Sequence, residues 1–140
     1  MEQQRDRSRQ RTDVFTTGLT ARVELTVTVA DTAQALGSGD VPVLGTPRAL
    51  ALAEAATVAA TATRMPPDMT TVGTRVELEH RAPTPIGRTV VAAARLSQVD
   101  GRRLVFDVLL TDGETTIAKG VVERLLVDRQ RFVARATGVA

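Results

Sequence analysis

The stretch GTPRALALAEAATVAAT, residues 45–61, predicts a long helix that is apolar on nearly every side and carries one carboxylate, Glu54. Thr46 and Pro47 favour a helix start, because threonine suits the N-cap and proline suits the first helical position. The Pro66–Pro67 pair ends the pattern. A helix without a polar face is expected inside a fold. Glu54 therefore needs either a charged partner or a chemical role to offset its desolvation.

Strand patterns surround this helix on both sides. Residues Leu19–Val29 alternate, with Ala21, Val23, Leu25, Val27 and Val29 on one face, which indicates a half-buried strand. Four strand patterns follow the helix: TVGTRVELEHRA, TVVAAARLSQV, RRLVFDVLLT and TTIAKGVVERLLV. Asp100–Gly101 and Asp112–Gly113 predict tight hairpins between the last three. The predicted fold class is α+β, with an antiparallel curved sheet of about five strands wrapped around one long buried helix.

The ends of the chain differ from this pattern. Residues 1–16 mix arginine with acidic residues and predict a disordered N-terminal arm, so that a single domain spans residues 17–140. The arm lacks the apolar region of a signal peptide, and no run approaches the roughly 18 apolar residues of a membrane span. We therefore expect a soluble, cytoplasmic protein without a membrane partner. Near the C-terminus, Asp128 is expected to cap a short helix.

Composition excludes several kinds of site. The 140 residues include no cysteine and one histidine, so a disulfide, a thiol nucleophile and a Cys/His zinc site are all excluded within one chain. The formal net charge is only +2, and aromatic residues make up 2% of the chain. Few side chains are therefore available to stack on bases, and we expect neither a nucleic-acid partner nor a bound metal.

Glu54 and His80 are the strongest candidates for chemistry. On the strand after the helix, His80 shares its parity with Val72, Thr74, Val76 and Leu78, which places the imidazole on the apolar face that covers the helix. Together the two side chains would form an acid/base pair at the helix–sheet interface. Each also has a structural interpretation, Glu54 as the partner of an arginine and His80 as an ordinary core residue.

Thr46 and Gly73 are weaker candidates. Helix capping alone explains Thr46, although its hydroxyl also lies at a helix N-terminus, where developing negative charge is favoured. Eight residues of helix rise about 12 Å, so Thr46 and Glu54 cannot touch directly. Substrate, a returning loop or a second subunit would have to join them. Gly73 interrupts a β-branched strand, which indicates a bulge, a close approach of another group, or a simple strand twist.

The segments VPVLGTPRALALAEAA, VGTRVELEHRAPTPIG and VDGRRLVFDV together resemble the fluoroacetyl-coenzyme A thioesterase-like family of hot-dog-fold thioesterases. The resemblance covers roughly residues 17–136. It implies catalytic roles for Thr46, Glu54 and His80, the last within the pattern H-x-A-x-T-P. It also implies that Gly73 and Arg124 contact substrate.

The resemblance further implies an acyl-coenzyme A or acyl-carrier thioesterase whose sites lie between the subunits of a homodimer or a dimer of dimers. Coenzyme A would be part of the substrate, with no separate cofactor. Glu54 would act as nucleophile or as base for water, His80 would carry the proton, and Thr46 would orient or polarise. The fluoroacetate-specialised form has phenylalanines ahead of the threonine, whereas residues 30–44 contain no aromatic side chain, so another acyl group is expected.

Two other functions remain open at the level of sequence. A non-catalytic hot-dog module would bind acyl thioesters or a protein partner without hydrolysis, but such a module would not need Thr46, Glu54 and His80 together. A hot-dog hydratase is disfavoured, because no Asp-x-x-x-x-His pattern surrounds the single histidine.

Overall fold

The computed structural model describes residues 15–138, which form one five-stranded antiparallel sheet with a long helix packed across one face. The strand order is β1-β3-β4-β5-β2, so β1 and β2 form the two edges. The strands are β1 (Thr20–Thr26), β2 (Met69–His80), β3 (Thr89–Asp100), β4 (Arg103–Asp112) and β5 (Thr115–Asp128). The α-helices are α1 (Ala33–Leu36), α2 (Thr46–Thr61) and α3 (Arg129–Thr137), with short 3₁₀ turns at Val29–Asp31 and Ala62–Arg64. The predicted α+β architecture is confirmed.

Helix α2 packs on the sheet through small residues. Ala49, Ala53 and Ala56 are fully buried, and Leu52 is nearly so. Facing them, the sheet contributes large side chains such as Phe106, which is also fully buried. Small residues on the helix let its backbone approach the sheet closely while the strands fill the core. The helix does not have an all-round buried surface as predicted, because its opposite side is exposed at Pro47, Ala51, Ala55 and Val58.

Two hairpins connect the centre of the sheet as predicted. In the first hairpin Asp100 lies opposite Arg103 on the neighbouring strand, and in the second Asp112 lies opposite Thr115. The first residue of each two-residue loop is a glycine with positive φ, 58° at Gly101 and 59° at Gly113. A positive φ at this position suits the right-handed twist of the flanking strands and favours glycine.

Two boundaries differ from the prediction, and a third agrees with it. Strand β1 ends at Thr26, and Val29 is 68% exposed because it begins a 3₁₀ turn and no longer alternates with the strand. Phe15 is 3% exposed in the core, so the packed domain includes a residue assigned to the N-terminal arm. Residues 1–14 of that arm lie outside the described part of the chain. Helix α3 is capped as expected, since the Asp128 carboxylate accepts from the Arg131 amide at 3.0 Å.

A β-bulge in β2 reverses which side chains face the helix. The register with β5 shifts between Gly73 and Arg75, leaving Thr74 as the extra residue. Before the bulge, Thr71 lies opposite buried Leu126, and after it Val76 lies opposite buried Val122. Directly paired residues share a face, so the inner face contains Thr71 and Gly73 and then Val76, Leu78 and His80. The expected placement of Val72 and Thr74 on the face of His80 was wrong, because a single alternation was extended through the bulge.

Within residues 15–138, no helix has both the length and the apolar character needed to cross a lipid bilayer.

Candidate active site

Thr46 and His80 form a contact where α2 begins and β2 ends. The Thr46 Oγ1 atom lies 2.8 Å from Nδ1 of the imidazole. The helix N-cap is Gly45, with no side-chain capping hydrogen bond, and Thr46 is the first helical residue. The expectation that Thr46 caps the helix was therefore wrong. Its hydroxyl instead pairs with the single imidazole in the chain, at the N-terminus of a 16-residue helix.

The environment of His80 favours the neutral imidazole. Burial lowers the pKa of His80 below its ordinary value, and the backbone of Ala82 only partly opposes this effect. The sequence did not reveal which influence would dominate. The second ring nitrogen, Nε2, is buried and has no hydrogen-bond partner among residues 15–138. A neutral imidazole in contact with a hydroxyl can accept a proton from it or from a bound water.

Glu54 is held by a buried arginine on β5. The Arg124 Nη1 atom donates to Glu54 Oε2 at 2.9 Å, while Nε and Nη2 donate to the side chain and carbonyl of Thr71 at 2.9 and 3.1 Å. Arg124 is only 7% exposed, whereas the side chain of Glu54 is 32% exposed. The arginine partner that the structural interpretation of Glu54 expected is thus present. The arginine contacts the Glu54 carboxylate through Oε2, and the Glu54 side chain is accessible in part.

Gly73 leaves the space that the Glu54 carboxylate occupies. A Cβ atom built on Gly73 would lie 2.4 Å from Glu54 Oε2 and 3.3 Å from Arg124 Nη1. Both of the unusual features considered for Gly73, a bulge and a close approach, are present. The group that approaches the glycine backbone is the carboxylate itself, so Gly73 and Glu54 form a single steric unit.

Within one protomer these residues form two separate groups. Thr46 and His80 lie at the start of α2, and Glu54, Gly73 and Arg124 lie two helical turns further on, about 12 Å of rise away. No hydrogen bond joins Glu54 to His80 within residues 15–138. The predicted acid/base pair therefore does not form inside a single chain.

A buried aspartate at the end of the 3₁₀ turn Val29–Asp31 is linked to the start of α2. The Asp31 carboxylate accepts from the amide and hydroxyl of Thr28 at 2.7 and 2.9 Å and from Arg48 Nε at 3.0 Å. Burial opposes ionisation, but these hydrogen bonds and the arginine charge together lower the pKa of Asp31. The Asp31 carbonyl also accepts from the Gly45 amide at 2.9 Å. Asp31 thus contacts both Gly45, the N-cap of α2, and Arg48 in its first turn.

Asp31 and Thr71 were not identified from the sequence. The TVAD segment at residues 28–31 carries the spacing of a capping box, and that pattern would have pointed to Asp31. Thr71 was hidden by the bulge, because uninterrupted alternation assigns it to the outer face of β2. Among residues 15–138 no cluster of three or more Asp, Glu or His side chains could hold a metal ion.

A curved antiparallel sheet around one central helix defines the hot-dog class, and comparisons with known proteins agree. Residues 27–130 match the model of the FlK family, described as fluoroacetyl-CoA-specific thioesterase. The chain belongs to this family. It is 38% identical over 84 residues to the fluoroacetyl-CoA thioesterase of Streptantibioticus cattleyicolor, an alignment that spans 60% of each chain.

Solved structures show the similarity to FlK over a larger part of the chain. A threonine-to-serine variant of FlK in complex with acetyl-CoA superimposes with a TM-score of 0.84 at 28% identity, covering 89% of this chain and 98% of that one. A hot-dog-like protein from Thermanaerovibrio acidaminovorans superimposes with a TM-score of 0.82 at 24% identity, covering 91% and 94%. The second likeness extends only to the fold.

Proposed function

We propose that this protein hydrolyses an acyl-coenzyme A thioester to a carboxylic acid and free coenzyme A, using Thr46, Glu54 and His80. Family membership supports the reaction class. The observation that carries the assignment to residues is the contact between the Thr46 hydroxyl and a His80 imidazole whose pKa is lowered. The proposal includes a cytoplasmic location and no cofactor other than the coenzyme A of the substrate.

The proposed chemistry has two routes from the same residues. In one, Glu54 attacks the thioester carbonyl, the C–S bond breaks, and water later cleaves the resulting anhydride. In the other, Glu54 takes a proton from water, which attacks the carbonyl directly. In the first route the thiolate leaves as an anion, and neutral His80 takes the proton from the water that cleaves the anhydride. In the second, neutral His80 carries the proton from Glu54 to the leaving thiolate. In both, Thr46 orients the carbonyl or the imidazole. Arg124 and Gly73 position Glu54, because their contacts and missing side chain determine where its carboxylate lies.

We propose that the acyl group differs from fluoroacetyl. Residues 30–44 contain no aromatic side chain. The segment from Gly37 to Val41 ahead of Thr46 is exposed. A small fluorinated group would find no aromatic surface in this segment to exclude water around it.

A hydrolysis screen over a panel of acyl-coenzyme A thioesters, with detection of the free thiol, tests this function. We expect turnover of at least one thioester, with fluoroacetyl-coenzyme A not preferred over acetyl-coenzyme A. Tight binding of acyl thioesters with no thiol release by the wild-type protein would support the non-catalytic module instead. A strong preference for fluoroacetyl would contradict the proposed acyl class.

We also propose a homodimer, in which each site combines the two groups from different subunits. Strand β2 is an edge strand, and an unprotected edge can pair with a second copy. The exposed apolar side of α2, which includes Ala51, Ala55 and Val58, supports the same arrangement. A dimer would also bring a second Glu54 toward the imidazole that it cannot reach within its own chain.

The charges on β2 favour one register for this pairing. An antiparallel pair centred on Val76 sets Arg75 opposite Glu77 of the partner subunit, twice by symmetry. If the pair of β2 strands were centred on Glu77, this glutamate would lie opposite the same glutamate of the partner subunit. If the pair were centred on Leu78, Arg75 would lie opposite an arginine of the partner subunit. Because of the bulge, the favoured register also sets His80 beside Thr71 of the partner subunit, next to the Glu54–Arg124 pair of that subunit.

The wild-type protein is expected to have about twice the 14.9 kDa chain mass in light scattering. Arg75→Glu should shift the population toward the chain mass, because the favoured register would then place glutamates against each other. The double variant Arg75→Glu/Glu77→Arg restores opposite charges and should restore the dimer. A wild-type mass of a single chain, or no rescue by the double variant, would contradict the dimer or its register respectively.

A further inference from the structure

A cavity of about 470 Å³ lies where β2 begins and β5 ends, away from the Thr46–His80 contact. Three arginines line it: Arg102 from the β3–β4 turn, and Arg131 and Arg135 from α3. Residues four apart on a helix lie on the same face, so the two α3 side chains reach the cavity together. This set of residues is called the arginine cavity below.

The three guanidinium groups are available to a ligand. The ion pairs within residues 15–138 use other arginines, and no side-chain hydrogen bond from Arg102, Arg131 or Arg135 is formed within that range. Asp68 and Asp128 also line the cavity, and Asp128 is engaged as the cap of α3. Three cations against two carboxylates leave the cavity with an excess of positive charge. Guanidinium groups bind phosphate oxygens through paired, charge-assisted hydrogen bonds.

An aromatic ring lies beside these charges. Phe132 is one of three phenylalanines in the chain, lines the same cavity and remains 37% exposed. Exposed aromatic rings beside arginines provide a stacking surface for a base next to binding groups for phosphates. The combination matches a phosphorylated adenosine better than a simple inorganic anion, which would have no use for the ring.

The cavity is joined to Glu54 through β2. Met69 lines the cavity and lies two residues, about 7 Å of strand, from Thr71. Thr71 accepts two hydrogen bonds from Arg124, which in turn holds Glu54. A substrate with its thioester near Glu54 and its phosphates in the cavity would extend along this end of the sheet. The pantetheine arm of coenzyme A is a linear chain between those two parts.

We propose that the arginine cavity binds the phosphorylated adenosine end of coenzyme A, so that it selects coenzyme A thioesters over thioesters lacking the nucleotide. This inference rests on the proposed hydrolysis for its substrate. The binding of a nucleotide to the cavity can nevertheless be measured without turnover.

The test compares Arg131→Ala/Arg135→Ala with Arg95→Ala, a control that removes one exposed arginine from β3. Each protein is assayed with one acyl group carried either on coenzyme A or on pantetheine. For the double variant we expect KM for the coenzyme A thioester to rise roughly 10- to 100-fold, since two charge-assisted contacts are lost. The pantetheine thioester should be unaffected, and Arg95→Ala should behave as wild type with both. Phe132→Leu should weaken coenzyme A recognition alone.

Calorimetric titration with adenosine 3′,5′-bisphosphate separates the two proposals. Binding to the wild type that is lost in the double variant supports the cavity even if neither thioester is hydrolysed, an outcome that would refute only the proposed function. Comparison with ATP distinguishes the two sources of phosphorylated adenosine: weaker binding of ATP supports coenzyme A, and tighter binding of ATP overturns that assignment. Unchanged KM for the coenzyme A thioester in the double variant, with hydrolysis intact, overturns the cavity proposal.

Discussion

Replacing Glu54 by glutamine is expected to lower kcat for thioester hydrolysis by at least about 10²-fold, the lower range for loss of a positioned acid–base group. Glutamine keeps the shape of the side chain and can still accept from Arg124, so the geometry of α2 and β2 should persist. What it loses is the negative charge that either attacks the carbonyl or takes a proton from water. Steady-state kinetics with the best substrate of the panel measure the effect.

Thermal unfolding provides the control for this variant. Glutamine leaves the buried Arg124 charge without its counter-ion, so some loss of stability is expected, although the 32% exposure of the Glu54 side chain limits it. Arg124→Met in combination with Glu54→Gln removes that unpaired charge and should recover stability without recovering activity. A glutamine variant that hydrolyses thioesters at the wild-type rate would show that Glu54 serves only as a structural partner of Arg124.

Replacing His80 by alanine or asparagine is expected to lower kcat/KM by about 10²- to 10⁴-fold, the range for loss of a general acid–base. The pH dependence should change as well. Because the pKa of His80 lies below its ordinary value of 6.5, the imidazole is neutral at pH 7 and becomes protonated only as the pH falls further. The wild-type rate should therefore fall below pH 6.5 on an acid limb that the variants lack. Rate measurements from pH 5 to pH 9 test this.

Mixing the two inactive variants separates a shared site from a site within one chain. A hybrid of a Glu54→Gln subunit with a His80→Ala subunit has one site with both groups intact if the two come from different subunits. Random exchange should then restore roughly a quarter of wild-type activity, since about half of the dimers are hybrids with one complete site each. No recovery after verified exchange would argue for sites within single chains. A His80 variant that keeps its rate and its acid limb would remove the histidine from the mechanism.

Periodicity alone was sufficient for the architecture. The apolar run of α2 and the alternating strands joined at Asp100–Gly101 and Asp112–Gly113 each depend on local chemistry, which a single sequence displays directly. The errors occurred where tertiary context changes a local pattern. Val29 continues the alternation of β1 but belongs to a turn stabilised by Asp31. The exposed side of α2 cannot be recognised from composition, because alanine is compatible with a core and with an interface.

The sequence was sufficient to identify residues of the candidate site, but it did not reveal which of them contact each other. Glu54 and His80 were identified because each is the odd residue in an apolar pattern. Their actual partners, Arg124 and Thr46, are separated from them by 70 and 34 positions, and no local rule specifies such contacts. The expected capping role of Thr46 was wrong for the same reason, since a threonine before a proline suggests a cap whatever lies across from it.

The extra residue in β2 makes the orientation of this strand depend on the bulge itself. Deleting Thr74 would remove the bulge and leave both halves of the strand on their present faces, because Gly73 and Val76 would then be two positions apart. Straightening the strand with Thr74 retained would instead turn one half over, so that Val76, Leu78 and His80 would face solvent and Arg75 and Glu77 would point at the helix. Gly73 and His80 are seven positions apart, an odd number, so they share one face of the sheet only because the bulge absorbs one residue. Relatives aligned without regard to this insertion would have their inner and outer residues exchanged, and an intact site would be mistaken for a degenerate one.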